Sequence, residues 1–157
     1  MQTITPFLWF DGRAEEAARY YTSIFKHSKI LGMSRYGDAG PGPKGTVMVV
    51  QFQLNGQEWL ALNGGPQFKF TEAISFVVNC DTQEEVDELW EKLSEGSVPN
   101  RCGWLKDKFG VSWQIVPTVL GKMMQDKDTA RAQRVMNAML QMDKLDIQRL
   151  QQAYDQG

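Results

Sequence analysis

Histidine is almost missing from this sequence: His27 is the one imidazole in 157 residues. That excludes, within one chain, a metal site built of several histidines and any relay needing more than one imidazole. Cysteine is scarce as well, with only Cys80 and Cys102. Two thiols are too few for a disulfide framework and point to a reduced, cytoplasmic setting. There is no excess of positive charge. Lysine and arginine number 17 against 19 acidic residues, a net charge of −2, which leaves no electrostatic case for nucleic acid or an anionic membrane as partner. No apolar run approaches the ~20 residues needed to span a bilayer, and MQTITPFLWFDG lacks the basic start and small-residue cleavage site of a signal peptide. What is present is ordinary: 42% hydrophobic and 23% charged residues. At this length such a composition fits one compact domain, or two small modules sharing a core.

Taken in order, the chain separates into elements. Ile4–Phe10 is an apolar run ending in Asp11-Gly12, a strand followed by a turn. Ala14–Phe25 has helical spacing, with Ala17, Tyr20, Tyr21 and Ile24 on one stripe. Glu15 and Glu16 sit in its first turn, where the helix dipole favours them. Ile30–Tyr36 reads as a strand. Gly37–Gly45, GDAGPGPKG, lacks phosphate-loop spacing, because Lys44 is followed by glycine and not by Ser or Thr. It reads as a flexible connection, or as a lid offering Arg35 or Lys44 to an acidic ligand. Thr46–Leu54 and Gln57–Leu62 pair across Asn55-Gly56, a strong hairpin signal. Ala73–Cys80 is a further strand, and Thr82 with Glu85 spells a capping box for a helix over Gln83–Leu93.

After a loop at Gly96–Asn100 comes CGWLKDKFGVSWQIVP, a hairpin with strands at Cys102–Lys106 and Val111–Pro117. Alternation puts Ser112, Gln114 and Val116 on one face and Val111, Trp113 and Ile115 on the other. Gln114 is therefore a polar group in the middle of an apolar strand. Beyond Pro117 the chain is helical, with helices predicted over Asp128–Met142 and Leu145–Tyr154. Met136, Met139 and Leu140 make a stripe suited to packing on the domain, on a second subunit, or on a partner.

A weak repeat organises these elements. Shifting by 69 positions lays Phe7 on Phe76, Glu15-Glu16 on Glu84-Glu85, and Ala17, Tyr20, Tyr21 and Ile24 on Val86, Leu89, Trp90 and Leu93. The later strands overlay with Trp59 on Trp113 and Leu60 on Gln114. The expected fold class is α+β: two βαβββ modules, about residues 1–66 and 67–117, forming a curved mixed sheet with a concave pocket, followed by a helical tail, 118–157.

ITPFLWFDGRAEEAARYYTSIF, RYGDAGPGPKG, LNGGPQFKF, AISFVVNC and the hairpin CGWLKDKFGVSWQIVP resemble the vicinal oxygen chelate superfamily, which includes glyoxalase I, extradiol dioxygenases and bleomycin-resistance proteins. More narrowly they look like its PhnB-like branch, often labelled 3-demethylubiquinone-9 3-methyltransferase. The likeness runs over nearly the whole chain, the helical tail included. Ser97–Arg101 departs from the Gly/Glu-rich segment expected there.

The resemblance implies metal ligands on the first and last strands of each module. Carried over through the repeat, these fall near Thr5 or Pro6, Leu60, Ile74 or Ser75, and Gln114. Only Gln114 is a plausible side-chain ligand, so no metal and no cofactor are expected. The alternative is a metal-dependent lyase, isomerase or dioxygenase with a non-standard set such as Asn63, Gln114 and Cys80. Methyl transfer draws no support from the residues, since Gly64-Gly65 is followed by Pro66 and a strand, not by a nucleotide-cradling helix. Cys80 and Cys102 are candidate nucleophiles but read as core thiols.

The remaining reading is a groove for a small aromatic or amphipathic molecule. Its expected lining is Phe7, Trp9, Asn63, Phe76, Trp104 and Gln114, with Val78 beside Phe76. Trp59 and Trp113 fall on the opposite face, as core. The resemblance also implies a homodimer.

Overall fold

The computed structural model describes residues 2–97 and 100–156. The chain divides into two units, Met1–Phe70 and Thr71–Gly157.

The first unit runs β1 (Phe7–Phe10), α1 (Ala14–Ile24), β2 (Lys29–Arg35), β3 (Val47–Leu54) and β4 (Gln57–Asn63), with sheet order β1-β4-β3-β2. The β3–β4 hairpin closes on Asn55-Gly56, both at positive φ (49° and 83°), the handedness that matches strand twist. β1 lies parallel to β4, pairing Phe7 with Leu60, Leu8 with Ala61, Trp9 with Leu62 and Phe10 with Asn63. Alternation then sorts the sheet. Leu8, Phe10, Val50, Phe52, Trp59 and Ala61 are buried, along with Ala14, Ala17, Ala18 and Tyr21 of α1. The small alanines let the helix approach closely, and Tyr21 stacks on Phe52, which stacks on Trp59.

The second unit holds β5 (Ser75–Cys80), α2 (Gln83–Leu93), β6 (Trp104–Lys106), β7 (Ser112–Pro117), α3 (Thr118–Met124), α4 (Thr129–Met139) and α5 (Ile147–Asp155). Its sheet order is β5-β7-β6. Among the described residues this sheet has three strands where the repeat predicts four, and the described residues between α2 and β6 form turns and bends. Residues 98 and 99 of the predicted Gly96–Asn100 loop, and of the departing Ser97–Arg101 segment, lie outside the described residues. α2 occupies the predicted span, and Thr82 caps it, the Glu85 amide donating to Thr82 Oγ1 at 3.2 Å.

The helical tail builds its own core from Leu120, Met123, Val135, Met142, Leu145 and Leu150. Of the methionine stripe, Met139 packs against this core, while Leu140 stays 49% exposed. The tail is also latched to the hairpin. The amides of Cys102 and Gly103 donate to the carbonyls of Met142 and Asp143, both at 2.8 Å. Gln83 of α2 adds two bonds, donating to the Leu145 carbonyl at 3.0 Å and accepting from the Ile147 amide at 2.7 Å.

Candidate functional site

Helices cover one face of each sheet, so the residues available to a ligand are those on the other. In the second unit that face is set by the β5–β7 register. Ser75 lies opposite Ser112, Phe76 opposite Trp113 and Val77 opposite Gln114, while Trp104 of β6 is also opposite Gln114. Gln114 therefore stands between Val77 and Trp104. Its Nε2 donates to Ser75 Oγ at 2.9 Å, which orients the amide. Its carbonyl oxygen takes no hydrogen bond from a described residue. Ser112, two positions back on the same face, has a buried hydroxyl without a partner among the described residues. Lys106, further along, is engaged by Glu72, and that contact holds the Glu72 carboxyl below its usual range. The result is a largely apolar face with one fixed amide and no uncommitted charge.

Phe76 is the correction. It lies on the Trp113 side, ring centroids 5.6 Å apart, with Val78 on the same side. The reason is a loop one residue shorter. Three residues separate β1 from α1 and two separate β5 from α2, so the helices overlay at 69 but the strands at 70. A one-residue slip moves every side chain to the opposite face. Val77, 52% exposed, holds the place expected for Phe76 and is the counterpart of Phe7, 54% exposed.

In the first unit Phe7 and Trp9 share the uncovered face with Leu60 and Leu62. Trp9 is pinned: its Nε1 donates to the Gly65 carbonyl at 2.9 Å and its ring meets Phe68 edge-on at 4.9 Å. Gly64 packs so closely that an added Cβ would come 2.4 Å from that ring. Asn63 is placed differently from its expected lining role on that face. It faces the helix side, where Oδ1 accepts from the Ala14 amide at 2.8 Å and Nδ2 donates to the Val47 carbonyl at 3.1 Å. Arg13, at the N-cap of α1, supplies no side-chain cap; Asn63 does so from β4.

The implied metal positions do not fit a metal. Leu60 and Ile74 carry no donor atom, and Ser75 and Gln114 bond each other. Thr5 lies near Gln2. No group of three or more His, Cys, Asp or Glu is gathered among the described residues. The alternative set fails too, because Cys80 is buried on the face of β5 away from Gln114. Burial, then the charges of Glu85 and Asp81, push the Cys80 thiol up to about 11, so it holds its proton at neutral pH.

Sequence reasoning missed Asp107. It is buried, and its carboxylate accepts from the amides of Phe109 and Val111 and from Trp113 Nε1 at 2.9, 3.0 and 2.8 Å. The signal was the Asp-x-x-Gly turn, where an aspartate bonds the backbone ahead of it. It fixes the hairpin that carries Trp104 and Gln114.

Cavities among the described residues lie elsewhere. One, about 790 Å³, lies between α2 and α5, where Asp87 is engaged by Lys144 and Gln83. Another, about 650 Å³, lies in the first unit under the loop at 41–45. Of the six expected lining residues it takes Asn63 alone. Arg35 borders this cavity, and Lys44 instead pairs with Asp38 at 3.0 Å.

Comparison with known proteins agrees with this architecture. Residues 2–116 match the family described as 3-demethylubiquinone-9 3-methyltransferase. A Bacillus cereus PhnB protein, described as a candidate member of that family, is 43% identical, with a TM-score of 0.69 over 74% of this chain and 100% of its own. A Pseudomonas aeruginosa protein at 22% identity superposes with a TM-score of 0.63, covering 74% of this chain and 98% of its own. The fosfomycin resistance protein FosX of Listeria monocytogenes, solved with Mn(II) and sulfate, shares the fold at 13% identity and a TM-score of 0.53, over 80% of this chain and 98% of its own. No curated protein matches. The family match ends at residue 116, before α3, so the helical tail, which the resemblance was expected to include, lies outside the matched segment.

Proposed function

We propose, for a chain that belongs to the 3-demethylubiquinone-9 3-methyltransferase family and has the vicinal oxygen chelate fold, a role in binding a small aromatic or amphipathic molecule without a bound metal. One observation carries this reading. Gln114 is held by Ser75 with its acceptor oxygen open, between Val77 and Trp104, on a face that is otherwise apolar. A planar body against Trp104 and Val77, with one donor reaching Gln114, matches that chemistry. Methyl transfer is not adopted: no helix follows Gly64-Gly65-Pro66 before β5, so a nucleotide-like cofactor has no strand-to-helix cradle there. We take the protein to be cytoplasmic, from its two unpaired thiols, and a homodimer, as two-module members of the superfamily commonly are; sedimentation equilibrium tests the assembly.

The test of function uses indole-3-acetate and 1-naphthol as probes in thermal unfolding. A ligand that binds the native state at a hundredfold excess over Kd should add about 2.7 kcal/mol of stability. Gln114→Leu should remove the preference for probes with a hydrogen-bond donor, and Trp104→Ala should weaken all of them. Elemental analysis of protein purified without chelator provides the second arm. Stoichiometric metal that disappears in Gln114→Ala would overturn the reading.

A further inference from the structure

We infer that the cavity in the first unit, distinct from the uncovered sheet faces, is a binding site for a small zwitterion, its ammonium held by Asp11 and Glu15 and its carboxylate by Arg35. The cavity stands at the carboxyl ends of the parallel strands β1 and β4. Asp11 follows β1 directly, Gly64 follows β4, and Glu15 lies in the first turn of α1. Arg35, the last residue of β2, borders it from the other side. Loops at the carboxyl ends of parallel strands are where open sheets place their ligands, and about 650 Å³ is a usual volume for a small-molecule site.

Of the neutral polar side chains of this cavity, those of Tyr36, Asn63 and Thr46 are committed, while the Gln67 amide has no hydrogen bond with a described residue. The Tyr36 hydroxyl donates to the Asn63 carbonyl at 2.5 Å, and the Asn63 amide caps α1. Two walls are bare backbone, since Gly42 presses on the Tyr36 ring as Gly64 does on Trp9. The Gln67 amide and the charges are what remain. Asp11 has no hydrogen bond or ion pair with a described residue. Arg35 donates once, from Nη1 to the Gly45 carbonyl at 3.2 Å, leaving the rest of its guanidinium fork open. Glu15 is met from outside by Arg19. Carboxylates and a guanidinium facing one space select by rejection. A simple anion meets Asp11 and Glu15, a simple cation meets Arg35, and only a ligand with both charges satisfies both ends.

The experiment titrates glycine, 4-aminobutyrate and 6-aminohexanoate into isotopically labelled protein. Butyrate and butylamine serve as single-charge controls at matched ionic strength. The amides of Gly12, Gly45, Gly64 and Gly65 report the site by their chemical shifts. One or more of the amino acids should move these amides with at least tenfold higher affinity than either control. Asp11→Asn should raise butyrate to parity and Arg35→Gln should raise butylamine to parity. Both positions are exposed, so the unperturbed remainder of each spectrum shows that the fold is kept. Equal binding of butyrate to the parent protein overturns the proposal in favour of an anion site. Absence of shifts at roughly 10 mM ligand, or shifts only at other amides, overturns it outright. Because the reporters lie in the first unit and not on the Gln114 face, this result is independent of the test of the aromatic site.

Discussion

Asn63, Gln114 and Asp107 each carry a polar side chain held by hydrogen bonds in the fold, and what distinguishes them is how much bonding capacity each has left. Asn63 has spent its amide on the start of α1 and the start of β3. Asn63→Ala should cost about 1–3 kcal/mol in urea unfolding, because the Ala14 amide and Val47 carbonyl lose their partners. Asn63→Asp should cost less, since it keeps the acceptor and places negative charge at a helix N-terminus. The sequence could not separate these cases, for a strand-end asparagine looks the same whether it meets a ligand or caps a helix 49 residues away. Cys80 carries a pH signature. Its thiol is raised in the folded state, so the native protein keeps this proton where the unfolded chain has lost it. The stabilisation is fully present below the ordinary thiol value of 9.0 and is lost as pH rises to about 11. Native Cys80 should resist iodoacetamide near pH 8 and react on unfolding, read by mass spectrometry; rapid native labelling would contradict the assignment.

Elements were legible where their own periodicity defines them. The helix over Gln83–Leu93, the Asn55-Gly56 hairpin and the turn at Asp107–Gly110 all follow from local chemistry. Pairing between distant strands was less legible. The repeat placed β5 one residue out of register, because helices weigh heavily in such an overlay and a two-residue loop in place of three has no hydrophobic signature. That slip exchanged Phe76 for Val77. Gly103 offers an element-scale test. It has φ +84°, and a Cβ there would meet the Ile115 carbonyl at 2.9 Å and Leu145 at 3.0 Å. Gly103→Ala should destabilise by about 1–3 kcal/mol. It should also raise hydrogen exchange at Cys102 and at β6, while Gly32→Ala, where the added Cβ meets nothing, should leave those amides unchanged.

Across the whole molecule, the α+β class and the presence of C-terminal helices could be read in advance. The extent of the family resemblance could not. The relative from Bacillus cereus is covered along its full length by 74% of this chain, and the family match stops before α3, yet α3–α5 belong to the same unit as β5–β7. Motif likeness is dense up to Pro117, and beyond it the helical pattern is generic, so nothing local marked the boundary. The tail core should therefore support the second unit. Leu150→Ala, at a fully buried position, should cost about 2–5 kcal/mol, and the loss should show as faster exchange in β6 and β7. Unchanged exchange there would mean that the tail folds for itself alone.

The latch at Cys102 and Gly103 also orders events in time. A chain made from its N-terminus completes Met1–Phe70 from residues already synthesised, so that unit can close early. The hairpin amides wait for carbonyls at Met142 and Asp143, which are added some forty residues later. The hairpin bearing Trp104 and Gln114 thus reaches its final hydrogen bonding only after residues 142 and 143 have been added. The ligand binding proposed for that face would then depend on α4 and the residues after it, and a nascent chain stalled after Pro117 should lack it.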